Sequence, residues 1–200
     1  MNALLRLVSI ISQIGTWFGG ALLVIASLIV GVEVTIRKLF NLSISGADEL
    51  AGYAMAIGSA WAFSFALLRR AHIRIDTLYV LLPVRFRAVL DLLGLVAFGG
   101  FMALVAWFGW GVLEQSLISG TRSMSGLSIP LWIPQLLWFA GLVVFMLVAV
   151  LLLARGAMAL AAGDDLAVQR LIGSRTATED VADELENLQA RAPGRADVTP

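Results

Sequence analysis

The chain has no cysteine among its 200 residues. Disulfides, zinc–thiolate sites and iron–sulfur clusters are therefore excluded. It has one histidine, His72, so a haem held between two histidines cannot be built from this chain alone. Charge is scarce and balanced: 14% of residues are charged and the formal net charge is zero. No bulk attraction to nucleic acid follows from such a balance. What remains is apolar. The hydrophobic fraction is 60% and the mean hydropathy +0.90, against about 45–50% apolar residues in ordinary soluble domains.

Four uncharged stretches account for that excess: Leu7 to Val32, Leu50 to Leu68, Leu92 to Leu113 and Ser123 to Ala154. A spanning helix needs about 20 predominantly apolar residues, and in lipid the backbone must satisfy its own hydrogen bonds. The reading is an all-α integral membrane protein. Four helices are expected near Ile14–Ile36, Asp48–Leu68, Ala88–Leu113 and Leu131–Ala154. The first stretch is too long for a signal-peptide core of about 7–15 residues, and no clear small-x-small cleavage site follows it. It is read as a retained membrane helix.

The transmembrane domain is placed at residues 1–160. Residues 161–200 are expected to form a polar cytoplasmic tail, mostly disordered. Within that tail Thr176 and Glu179 fit a capping box, and Val181, Leu185 and Leu188 share a helical face, so one short helix is the alternative there. Orientation follows from arginine and lysine near the helix ends. Arg6, Arg69, Arg70, Arg74, Arg85, Arg87 and Arg155 fall on one side of a four-span chain. Arg37, Lys38 and Arg122 fall on the other. Both termini are therefore expected in the cytoplasm.

Residues that could carry chemistry are few. Glu33, Asp91 and Glu114 sit near helix ends, and their expected role is local pairing and snorkelling at the interface. No charge falls in the middle of a span. Gly52, Ala56, Ala60 and Ser64 recur every four residues on helix two, while Gly15 with Gly19 and Gly99 with Ala103 form shorter small-residue pairs. Such residues let helices approach closely, either within this bundle or against another membrane subunit. The six tryptophans, Trp132 among them, fit an aromatic belt. Between helices two and three, Ile75, Leu78, Tyr79 and Leu82 share a face opposite Arg69, Arg70 and Arg74. That pattern suits an interfacial segment under the headgroups. His72 and Asp76 are four residues apart, but no nucleophile or metal partner accompanies them, so no catalytic, cofactor or metal site is expected and the chain is not read as an enzyme.

Taken together, the residues resemble a known family. Glu49 opens a segment running through Gly52, Ala56 and Ala60 to Trp61. Leu68-Arg69-Arg70-Ala71-His72-Ile73-Arg74-Ile75-Asp76 and Leu82-Pro83 close it, and Ile129-Pro130-Leu131-Trp132 precedes the fourth helix. This combination is similar to the small permease subunit of tripartite ATP-independent periplasmic (TRAP) transporters, over about Ile14 to Ala154. The resemblance implies a division of labour in a bacterial inner membrane. A periplasmic substrate-binding protein captures an organic acid. A large permease subunit carries the moving domain with the substrate and sodium sites. The small subunit scaffolds the large one. The rival readings are a stand-alone four-helix multidrug-type exporter with an intramembrane glutamate and a membrane assembly factor.

Overall fold

The computed structural model describes residues 2–43, 45–71 and 82–173, together with Leu185 and Leu188. It contains α1 (Asn2–Phe40), α2 (Ala47–Leu68), α3 (Val84–Ser119), α4 (Trp132–Ala161) and α5 (Asp165–Ile172). The first four are long and apolar enough to cross a membrane. Among the described residues there is no strand, only an isolated bridge between Arg122 and Pro130 in the α3–α4 connection.

Helix ends follow local chemistry rather than bilayer thickness. The α2 helix begins after Gly46, whose φ of 92° suits glycine. Asp48 and Glu49 then occupy its first turn, where carboxylates meet the positive end of the dipole. Its range differs from the sequence expectation by one residue. The other three spans run well past theirs. Between Asn2 and Ile14 there is no proline or glycine to stop a helix, so α1 starts twelve residues early. α3 starts directly after Pro83 and continues to Gly120, a left-handed cap at φ 61° whose N–H bonds to the Ser116 carbonyl. α4 continues to Ala161, with Gly163 at φ 76° reversing the chain just beyond it. At 1.5 Å per residue, the 39 residues of α1 and 36 of α3 extend about 58 and 54 Å. Both exceed a hydrocarbon core of about 30 Å, so their ends project beyond it or the helices tilt.

The spans pack in a row ordered α1, α2, α4, α3, with a lesser contact between α1 and α4. α4 is the central member. Phe145 and Val148 are fully buried on it, next to Leu142 and Leu152. They meet Ala60 and Leu67 of α2 and Leu95 and Met102 of α3 in one cluster. Phe98 stands edge-on to Phe145 with ring centroids 5.2 Å apart. This row leaves most of the apolar surface uncovered. Only 17% of the most apolar window of α1 is buried against the chain, and no span exceeds 33%. An open row of that kind is stable only where lipid or another apolar surface covers it.

The segment after residue 160 does not leave the bundle at once. Asp164 caps α5, its side chain accepting the Ala167 N–H at 2.9 Å. Val168 and Ile172 are buried against α3 and α4. Further on, Leu185 and Leu188 are helical and exposed. The capping pair Thr176 and Glu179, with Val181, lies outside the described residues.

Candidate functional site

The small-residue stripe of α2 divides into two halves. Ser64 is fully buried, and its Oγ lies 2.7 Å from Oγ of Ser12 on α1. Ala60 is 1% exposed and faces Gly141 of α4. These two positions are internal helix contacts. Ala56 and Gly52 are exposed, and a Cβ on Gly52 would meet nothing within 4 Å. Ala56 borders a small pocket of about 120 Å³ with Tyr53, Leu131, Pro134, Gln135 and Trp138. The upper half of the stripe is therefore open, next to an apolar notch between α2 and α4.

Close approach in this bundle rests on the Gly15–Gly19 pair read from the sequence and on Gly58, Gly109 and Gly141, which the sequence reading did not single out. A Cβ on Gly19 would stand 2.8 Å from Cα of Gly58, so α1 and α2 touch backbone to backbone there. Gly15 lies beneath the ring of Trp61, and Gly141 beneath Ala60 and the same tryptophan. Trp61 donates its indole N–H to the Leu137 carbonyl at 3.1 Å, tying α2 to α4. Gly109 of α3 takes the ring of Trp138. Trp61 and Trp138 thus fill helix crossings rather than joining an aromatic belt. A bulky ring seated over a bare glycine backbone lets the two helices approach closely. Trp17, Trp107 and Trp110 face outward, and Trp132 opens α4 at 37% exposure. Of the pair on α3, Gly99 is buried near Ala149, while Ala103 is exposed.

At the end holding the α1–α2 and α3–α4 connections, polar groups gather. Tyr53 donates its hydroxyl to Oε1 of Glu49. The Ser125 hydroxyl also stands against the Glu49 carboxylate, and Oε1 of Gln135 is buried and takes no hydrogen bond among the described residues. The Gly126 N–H donates to Ser45 Oγ at 3.0 Å, and Leu127 lies close over Gly46, which ties the two connections together. Glu33 is 4% exposed and accepts from Ser43 Oγ at 2.8 Å. At the opposite end Asp91 is fully buried, with its Oδ2 close to Gly173 beyond α5. Glu33 and Asp91 were expected to pair locally and to snorkel at the interface; instead of snorkelling both are buried, because the α1–α2 turn folds over the first and α5 over the second. Glu114 is exposed, as an interfacial charge should be.

The arginines of that second end contact the chain in different ways. The Arg69 guanidinium lies 5.3 Å from the Phe65 ring centroid. Arg70 has φ 56° and donates from Nη1 to the Gln169 carbonyl at 3.4 Å, reaching from the end of α2 to α5. Arg87 donates from Nε to the Leu82 carbonyl at 2.8 Å. His72, Arg74 and Asp76 lie outside the described residues, as does most of the expected interfacial segment. No group of three or more histidines, cysteines, aspartates and glutamates able to hold a metal ion occurs among the described residues.

This geometry has a row of helices, tight glycine crossings and acids only at the two ends. A family model described as tripartite ATP-independent periplasmic transporters, DctQ component, matches residues 26–159. The chain belongs to the DctQ family. Comparison with curated proteins and with solved structures gives no match. The matched region covers the last part of α1 and nearly all of α2 to α4, so it includes the packing of α2 and α3 on α4. Membership makes the chain the small membrane component of a TRAP transport system, and the resemblance read from Glu49 to Trp132 is the same one. It also places the chain in a transporter family rather than an enzyme family. The first 25 residues and the tail beyond residue 159 fall outside the match.

Proposed function

We propose that this DctQ component scaffolds a large permease subunit in a bacterial inner membrane, for sodium-coupled uptake of an organic acid delivered by a periplasmic binding protein. The observation that carries the proposal is the family match. The geometry supports the scaffold role in two ways. No charged residue falls mid-span, and intramembrane charges are the usual mark of an ion or substrate path. The helices also form an open row in which α3 packs chiefly on α4 among the spans, which leaves broad apolar faces for a partner. Residues proposed to serve the partner or the architecture are Glu49, Gly52, Ala56 and Trp132 near one end, and Arg69, Arg70, His72, Arg74 and Asp76 near the other. Ala60 serves the internal contact.

The orientation proposed is both termini in the cytoplasm. Arg6, Arg69, Arg70, Arg85, Arg87 and Arg155 gather at the end that holds α5, and positive charge is retained on the cytoplasmic side. Proteoliposomes carrying this chain alone, under an inward sodium gradient, should take up no organic acid. Adding the large permease and the binding protein should restore uptake. Uptake by the chain alone, or full-rate uptake by a system lacking it, would refute the scaffold role. A reporter fused at residue 200 that reads out as periplasmic would refute the orientation.

A further inference from the structure

Between α1 and α2 lies a groove of about 710 Å³. It runs from Gln13 and Thr16 past Gly20 and Ala21 to Val24, with Phe65 closing the α2 side. Its chemistry changes along its length. The two polar liners sit at the arginine-rich end, and everything beyond them is apolar. Thr16 already donates its hydroxyl to the Ser12 carbonyl at 2.8 Å, so even this polar liner turns its proton inward. Seven residues are close to two helical turns. Arg6 therefore lies on the same stripe of α1 as Gln13 and Gly20, two turns below the groove floor. Arg69 lies one turn beyond Phe65, with its guanidinium against that ring at 5.3 Å. Two exposed cations thus stand at one mouth of an apolar channel.

We propose that this groove holds an anionic phospholipid, with its phosphate between Arg6 and Arg69 and one acyl chain along Gly20, Ala21 and Val24. Charge complementarity selects this occupant. A phosphate on an apolar tail matches cations at one end and a long uncharged wall behind them. Free inorganic phosphate would leave the wall uncovered. Gly20 keeps the channel open, because a Cβ there would meet nothing within 4 Å. The inference stands on this chain alone and does not require the scaffold role.

The experiment uses the full chain in nanodiscs of equal phosphatidylglycerol and phosphatidylcholine, extracted gently and weighed by native mass spectrometry. One phosphatidylglycerol should remain bound. Replacing Arg6 and Arg69 by glutamine should lower the ratio of retained phosphatidylglycerol to phosphatidylcholine by about thirtyfold. Gly20→Phe fills the channel from a position with free space, leaves every arginine in place, and should remove both lipids. An unchanged ratio in the arginine variant overturns the proposal. So does lipid retained by Gly20→Phe at the wild-type level. If Gly20→Phe keeps its lipid but no longer co-purifies with the large permease, the groove is a protein interface and the lipid assignment is wrong.

Discussion

Gly19 and Gly20 are neighbours on α1, yet the same substitution should have opposite effects at the two positions. A Cβ at Gly19 would sit 2.8 Å from Cα of Gly58 and 3.3 Å from its carbonyl oxygen. Optimal carbon–carbon contact is about 3.5–4.0 Å, so Gly19→Ala must push α1 and α2 apart by roughly 1 Å. Both contacting atoms are backbone, and no rotamer change can relieve the clash. Overpacking of this kind costs about 1–3 kcal/mol. Replacing a helical glycine by alanine returns about 1 kcal/mol, so the net effect is a loss of up to about 2 kcal/mol. The separation should also lengthen the Ser12–Ser64 hydrogen bond two turns away. At Gly20 there is no neighbour to meet, and only the gain from helix propensity remains. Gly20→Ala should therefore be neutral or stabilising by up to about 1 kcal/mol. The assay is unfolding of the purified chain in mixed micelles, by titration with a denaturing detergent followed by circular dichroism. If the two variants shift the midpoint in the same direction by the same amount, the backbone contact between Gly19 and Gly58 is not a determinant of the fold.

Four further outcomes follow from the same packing. Ala60→Leu should cost about 1–3 kcal/mol in the isolated chain, because Ala60 is buried against Gly141. Ala56→Leu should leave the isolated chain unchanged and weaken co-purification of the large permease, and wild-type recovery of that partner would remove Ala56 from the interface. Ser12→Ala and Ser64→Ala in a double-mutant cycle should show a coupling of about 0.6–1.7 kcal/mol; additivity would mean that the 2.7 Å contact contributes nothing. Asp164→Ala removes the cap of α5 at a cost of about 0.5–2 kcal/mol. Faster hydrogen exchange should then be seen at residues 167–172 and not in α2, and unchanged exchange at the Ala167 amide would show that the cap does not hold α5.

Some of this protein is determined by composition and spacing. Four uncharged stretches in lipid admit one solution for the backbone, since each N–H and C=O must bond within its own helix. That is why the four spans, and the family to which the motif from Glu49 to Trp132 belongs, are legible without coordinates. Breaker residues and acidic first turns also mark the start of α2 to within one residue. Hydropathy marks where a chain is apolar, not where a helix stops. The extensions of α1, α3 and α4 therefore came from the absence of breakers and from caps such as Gly120. Tertiary structure alone decided which small residues meet. Gly52, Ala56, Ala60 and Ser64 recur every four residues, which advances slightly more than one turn per step, so the stripe winds about α2 while the face buried by α1 and α4 runs from Ala47 through Ala54 and Ile57 to Leu67. The crossing thus selects Ala60 and Ser64, leaves Gly52 and Ala56 open, and recruits Gly58 and Trp61 from neighbouring stripes. Burial of Glu33 and Asp91 was decided the same way, by a turn and a short helix folding over them from elsewhere in the chain. Period along one helix is a local property. The angle and height at which another helix meets it depend on every side chain in between.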